Sequence, residues 1–274
     1  MKILRLATEK DTDSLRFLWL TVFPSDAIFF EYYLKFASFE NIVVCSDDEN
    51  IISMLNMLPC ELISGRDLIR GSYVFSIATM PKFRNKGVAS EVINFSHQLM
   101  LEREMAFSAL IPAEKNLFPF YSRFGYEPYF KINKIKIPLK FGISDCRKAN
   151  YNDIHSLSFI YKSEMKSRIH FKRPDEFWKI LLDTENCLVS PSTGDIEAYC
   201  FFDQCPELVI KELFGMTQKS RDILLYNFGS KFSHAELQMP VDIEEGYFLG
   251  LIKPFSAYLV KDDLPPYINM MFNA

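Results

Sequence analysis

Apolar positions in the first 139 residues switch between two periods, and the switches mark the elements. Ile3–Ala7 predicts a short strand. From Thr8 or Asp11 a helix runs through Leu15, Leu18, Trp19 and Val22 at helical spacing. Pro24-Ser25-Asp26 breaks it, and Ser25 or Asp26 can cap a second helix from Ala27 to about Phe36. Asn41–Ser46 reads as a strand, Asp47-Asp48-Glu49-Asn50 as a turn, and Ile51–Ile63 as the return strand of a hairpin. After Gly65-Arg66-Asp67, a β-prone run ends at Met80. The helix from Gly87 to about Glu104 sets Val88, Val92, Phe95, Leu99 and Met100 near one face, as packing on a sheet requires. Phe107–Ile111 predicts a strand, Lys115–Phe124 a short helix with Gly125 at its C-cap, and Tyr126–Leu139 a closing strand.

Residues 140–274 repeat this order in a degraded form. Tyr151 to about Met165 and Glu176–Leu182 predict helices, and Cys187–Val189 with Glu197–Phe202 a strand pair. Leu208–Gly215 predicts a strand, Arg221–Phe232 a helix, and Ala235–Met239 and Gly246–Val260 further strands. The expectation is a mixed α/β chain of two units, 1–139 and 140–274, in keeping with its 274 residues.

One segment stands apart chemically. The strand ending at Met80 meets Pro81, then Lys82-Phe83-Arg84-Asn85-Lys86-Gly87, then a helix. Strand, cationic turn and helix N-terminus together form a device for holding a phosphate, because the first helical N–H groups lack intrahelical partners. Gly87 permits a positive φ or a close approach of the backbone. No acid lies between Pro81 and Ser90. Taken alone, the segment is equally readable as an ordinary basic turn on the surface.

Composition narrows the picture. The formal net charge is −4, which argues against a general nucleic-acid surface and makes the basic loop local. Six cysteines occur without a C-x-x-C pair, and the chain opens without an apolar leader. No apolar run approaches the ~18–20 residues that span a membrane. Free thiols in a cytoplasmic protein are the expectation, with no membrane or nucleic-acid partner. His97, His155, His170 and His234 lack ligand spacing, so no metal is expected.

Arg84-Asn85-Lys86-Gly87-Val88-Ala89 and Phe120-Tyr121-Ser122-Arg123-Phe124-Gly125-Tyr126 together resemble the GNAT superfamily of N-acyltransferases. The first matches that family's acyl-CoA loop, [QR]-x-x-G-x-[GA], and the second its Tyr-x-x-x-Gly-aromatic signature. The resemblance implies a GNAT fold, with a central mixed, mostly antiparallel twisted sheet flanked by helices. The second unit looks like a degenerate GNAT-like domain without a cofactor loop. That tandem layout is similar to the enhanced-intracellular-survival (Eis-like) branch. Eis-like proteins usually add a third, sterol-carrier-like domain. The sequence given ends at Ala274 before one, so no role is carried over to its terminal carboxylate.

What the resemblance implies is acetyl-CoA as co-substrate and direct transfer to a primary amine in a ternary complex. The pantetheine arm would lie along Ile77, Ala78 and Thr79, and the pyrophosphate on the backbone of Arg84, Asn85, Lys86, Gly87, Val88 and Ala89. Tyr121 would serve the leaving thiolate, with a packing role as the alternative. Asn116 would take the place of the family's cofactor asparagine, although Glu114 holds the usual position. The predicted strand before the loop, Tyr73–Met80, has no Asp, Glu or His to act as the base. Asp26 and Glu31 would line the acceptor entrance, or else serve as a helix cap and a solvated face. The acceptor is a small-molecule or protein amine, and a homo-oligomer is possible in this reading. The other function these features fit is a non-catalytic acyl-CoA-binding or interaction module on the same scaffold.

Overall fold

Four strands build one end of the sheet. Lys2–Leu6 (β1), Ile42–Asp47 (β2), Asn50–Ser64 (β3) and Asp67–Thr79 (β4) pair antiparallel in that order. Gly65 turns β3 into β4 at φ 58°, a conformation that costs glycine little. The computed structural model describes residues 2–34, 38–48, 50–204, 206–241, 246–256 and 264–269, the side chains of residues 26–28 and 32 excepted. Thr12–Val22 (α1) and Ala27–Tyr33 (α2) cover one face of these strands, and Val88–Glu102 (α3) covers the other. Phe107–Leu110 (β5), Phe118–Ser122 (α4) and Glu127–Pro138 (β6) follow.

In the second half the elements are Arg147–Lys148 (β7), Ile154–Glu164 (α5), His170–Phe171 (β8) and Asp175–Thr184 (α6). Asn186–Ser190 (β9), Ala198–Gln204 (β10), Leu208–Gly215 (β11), Gln218–Tyr226 (α7), His234–Pro240 (β12) and Tyr247–Pro254 (β13) complete the chain. One mixed sheet runs through both halves in the order β1-β2-β3-β4-β5-β13-β6-β12-β11-β10-β9-β7, with β8 beside β3. The named strands pair antiparallel except β4 with β5 and β11 with β12. This is the mixed α/β, mostly antiparallel architecture that the resemblance implies.

The two halves meet through β6. Its first part, Glu127–Ile132, pairs with β13, and its second, Ile132–Pro138, pairs with β12. A strand from the end of the chain thus lies between β5 and β6. One hydrophobic core is correspondingly shared, holding Trp19 and Tyr73 from the first half and Trp178 and Tyr199 from the second. Smaller cores lie under α3 and α7.

Each half begins with the same device. Arg5 grips Asp11 with two bonds of 2.7 and 2.8 Å, and Arg147 grips Asp153 with two bonds of the same lengths. The aspartates also accept from the backbone N–H of Thr8 and Asn150, three residues earlier, and so cap the following helix. Arg5, Ala7, Asp11, Ser14 and Leu15 recur in register as Arg147, Ala149, Asp153, Ser156 and Leu157.

Several boundaries differ from the sequence expectation. The helix expected over Arg221–Phe232 is α7, Gln218–Tyr226, because the Thr217 side chain accepts from Ser220 N–H and fixes an earlier start. The expected strand Gly246–Val260 ends at Pro254, and its last part lies outside the described residues. The end of the second helix, expected near Phe36, also lies outside them. The two-residue strands β7 and β8 are too short to leave a periodic signal. Five cysteines are free thiols, and Cys205 lies outside the described residues.

Candidate active site

β4 and β5 are parallel and pair at Ser72–Ser108 and Tyr73–Ala109. Beyond these pairs a cleft of about 830 Å³ opens, with Val74, Phe75 and Ile77 on one side and Leu110 and Ile111 on the other. Within β4 the register with β3 slips: Met54 faces Ala78 and Asn56 faces Phe75, so Ser76 and Ile77 both oppose Leu55. Ser76 sits at φ 49°, the signature of a bulge that takes peptide groups out of the ladder. The bulge therefore frees main-chain hydrogen-bonding capacity on the strand that walls the cleft.

Past β4 the basic loop turns on two residues of positive φ, Asn85 at 60° and Gly87 at 80°. Gly87 is the N-cap of α3 and offers no side chain to its N–H groups. The helix's own bonding begins with Glu91 N–H to the Gly87 carbonyl at 3.0 Å, which leaves Val88, Ala89 and Ser90 N–H groups outside the helical ladder. A Cβ built on Gly87 meets nothing within 4 Å. The helix N-terminus is thus open, uncapped and positively polarised. Arg84 Nε donates to the Thr79 carbonyl at 3.1 Å and ties the loop to the strand end. Lys82 and Lys86 lie over the Phe83 ring at 5.1 and 5.5 Å.

Helix α7, which follows β11, has the opposite character at its N-terminus. Where Gly87 leaves α3 open, Thr217 accepts from Ser220 N–H at 3.1 Å and closes the N-terminus of α7. The Arg221 guanidinium adds a bond to the Gly215 carbonyl at 2.9 Å.

Across the cleft, Tyr121 comes from the short helix α4. It is 8% exposed, and burial pushes its pKa up to about 12. Its ring meets Phe120 and Tyr126 edge-on at 5.1 and 6.0 Å. No protein group among the described residues hydrogen-bonds its hydroxyl, which remains available to a ligand. Gly125, at φ 85°, turns the chain out of this helix.

Of the residues singled out from sequence, the cleft gathers Ile77, Thr79, Arg84, Asn85, Gly87, Val88, Ala89 and Tyr121. Ala78 is fully buried on the opposite face, in the shared core. Lys86 and Asn116 stand outside the lining, and the Asn116 amide donates to Glu114 at 2.8 Å. Glu114 itself lines the cleft. Glu31 pairs with Arg16 at 2.6 Å and is absent from the lining, while the Asp26 side chain lies outside the described residues. Val22, Phe23 and Phe75 also line the cleft, and sequence reasoning missed all three. A larger cavity of about 860 Å³ lies toward the start of β4, between it and α6, and contains none of the predicted residues.

Splayed parallel strands, a bulge, an uncapped helix N-terminus and a buried tyrosine thus meet at one cleft. The acetyltransferase (GNAT) domain family model matches residues 4–129. A conserved Enterococcus faecalis V583 protein, called a probable N-acyltransferase, shares the fold at a TM-score of 0.71 and 16% identity, over 93% of this chain and 71% of that one. A GCN5-related N-acetyltransferase from Anabaena variabilis also gives 0.71 at 16% identity, over 92% and 72%. Eis1 from Mycobacterium abscessus gives 0.62 at 12% identity, over 93% and 73%. Among curated proteins none matches the chain. No helix of the described residues is long and apolar enough to cross a membrane, and no group of three or more metal-ligating side chains occurs among them.

Proposed function

We propose that the protein transfers an acetyl group from acetyl-CoA to a primary amine, both bound together in the cleft between β4 and β5. The observation that carries this reading is one cavity joining an uncapped helix N-terminus to a tyrosine hydroxyl with no hydrogen-bond partner among the described residues. When bound, acetyl-CoA supplies an acetyl group activated as a thioester. The N–H groups of Val88, Ala89 and Ser90, with the helix dipole behind them, would hold the pyrophosphate. The edge of β4 from Ile77 to Thr79 would pair with the pantetheine amides, and the bulge would present an N–H to the acetyl oxygen as it gains charge.

Tyr121 keeps its proton throughout the physiological range, because burial raises its pKa to about 12. It therefore acts toward the sulfur as a hydrogen-bond donor. Completing the proton transfer to a thiolate of lower proton affinity is uphill and draws on solvent. The carbon–sulfur bond breaks, the carbon–nitrogen bond forms, and the amine's proton leaves to water or to the cleft carboxylate Glu114.

We read the second half as a duplicated GNAT-like unit, residues 140–274 against 1–139, whose capped α7 cannot take a phosphate. The free thiols favour a reducing, cytoplasmic setting. Calorimetric titration with acetyl-CoA tests the reading. Micromolar binding is expected, and it should vanish in Gly87→Glu while circular dichroism stays unchanged. No binding by the unaltered protein would overturn it.

A further inference from the structure

The cleft's acceptor side is built from rings rather than from charge. Val22 and Phe23, at the end of α1, share the lining with Phe75 on β4. Phe23 meets Trp19 edge-on at 5.6 Å, Trp19 stacks on Tyr33 at 5.8 Å, and Tyr33 meets Phe75 edge-on at 5.2 Å. The two lining rings thus belong to one aromatic cluster, which continues from Phe75 to Tyr73 at 6.4 Å and holds them in place. On the carboxylate side, Glu114 is the one acid among the described lining residues. Asp13, Asp47 and Asp48 line a separate cavity of about 490 Å³, to which Phe83 is the shared wall. Glu31, on α2, pairs with Arg16 at 2.6 Å.

These facts discriminate between classes of amine. A polyamine entering this cleft sheds the hydration of several ammonium groups and finds one carboxylate among the described lining residues, so the loss is not compensated. An amine with one charge and an apolar body sheds one hydration shell and gains about 25 cal/mol for each Å² of ring surface covered. Selectivity is the difference between these two balances.

We propose that the acceptor is a monoamine carried on an aromatic or apolar body, the body seated against Phe23 and Phe75 and the amine facing the carboxylate of Glu114. This rests on the acetyl-transfer reading above, and it adds the substrate class.

The test is calorimetric titration of the full chain, with and without CoA, using 2-phenylethylamine and spermidine. We expect 2-phenylethylamine to bind at least about tenfold more tightly than spermidine. Phe23→Asp, which places a second carboxylate in the wall, should abolish or reverse that preference. Should that variant fail to fold by circular dichroism, Phe23→Leu should weaken 2-phenylethylamine by about threefold or more and leave spermidine unchanged. Equal or tighter binding of spermidine overturns the proposal, as does a protein that binds CoA and neither amine. Absence of CoA binding removes the acetyl-transfer reading instead, while amine binding sensitive to Phe23 would still be seen in the CoA-free titration.

Discussion

The ammonium of Lys253, on β13, lies 3.2 Å from Nδ1 of His97, on α3, so the last strand is fastened to the helix that begins at the basic loop. His97 Nε2 in turn lies 3.1 Å from the Tyr126 hydroxyl, which lies 2.6 Å from Ser108 Oγ. With Lys253 donating to Nδ1, the imidazole is neutral with its proton on Nε2, and it donates to Tyr126. Burial first, and then the Lys253 charge, push the His97 pKa down to about 3.

Stability should therefore depend on pH through His97. An unfolded histidine titrates near 6.5, so between pH 6.5 and 3 the unfolded chain takes up a proton that the folded one refuses. The contribution is present in full above 6.5 and is lost as the pH falls. At pH 5 the loss is on the order of 2 kcal/mol. Denaturant titrations of the wild type and His97→Gln at pH 7 and pH 5 check this. The variant should lose less stability on acidification, and equal losses would reject the assignment.

Tyr121→Phe separates chemistry from binding. The phenylalanine keeps the edge-on contacts with Phe120 and Tyr126 and removes only the hydroxyl. If the hydroxyl serves the leaving sulfur, kcat should fall by about 10²-fold or more, with acetyl-CoA affinity within about threefold of wild type. Because Tyr121 titrates near 12, the wild-type rate should show no alkaline decline from this group below pH 10. A variant with unchanged kcat would reduce Tyr121 to a packing residue.

Gly87 and Gly65 form a matched pair for the loop. Both adopt positive φ, 80° and 58°, and a Cβ at either meets nothing within 4 Å. Alanine at either site should cost about 1 kcal/mol of stability through backbone strain alone. Only Gly87→Ala should also weaken acetyl-CoA, since Gly65 lies in the β3–β4 turn and outside the cleft. Thermal melts and calorimetry on both variants decide this, and equal acetyl-CoA affinities would sever Gly87 from the cofactor.

The contrast between these residues shows what the sequence could reveal. The basic loop was legible because strand, glycine and helix follow one another without a gap, and its physics is local. Glu114 and Asn116 were harder, for spacing alone does not say which faces the cleft; the structure places Glu114 in the lining and spends Asn116 on it. The Arg5 and Arg147 devices carry a sequence signal, Arg-x-Ala-x-x-x-Asp-x-x-Ser-Leu, that element-by-element reading passes over. Phe23 and Phe75 read as ordinary core residues, because a lining ring and a core ring have the same periodicity. The pairing of β6 with both β13 and β12 has no local signal at all.

That pairing leads to a prediction about the first half alone. Residues 1–139 contain β5 and β6 but lack β13, the strand that lies between them. In the fragment, Phe107–Leu110 would lose the partner that meets Leu110, Ala109, Ser108 and Phe107, and β6 would lose partners on both edges. It would also lose Lys253 from beside His97, and Trp178 and Tyr199 from the shared core. Unpaired apolar strand edges promote association between chains. The fragment should therefore be aggregated or lack a cooperative melt, and co-expression with residues 140–274 should restore a soluble complex. A monomeric 1–139 fragment that melts cooperatively and binds acetyl-CoA would show instead that the first unit completes its sheet unaided, with β13 an accessory to it.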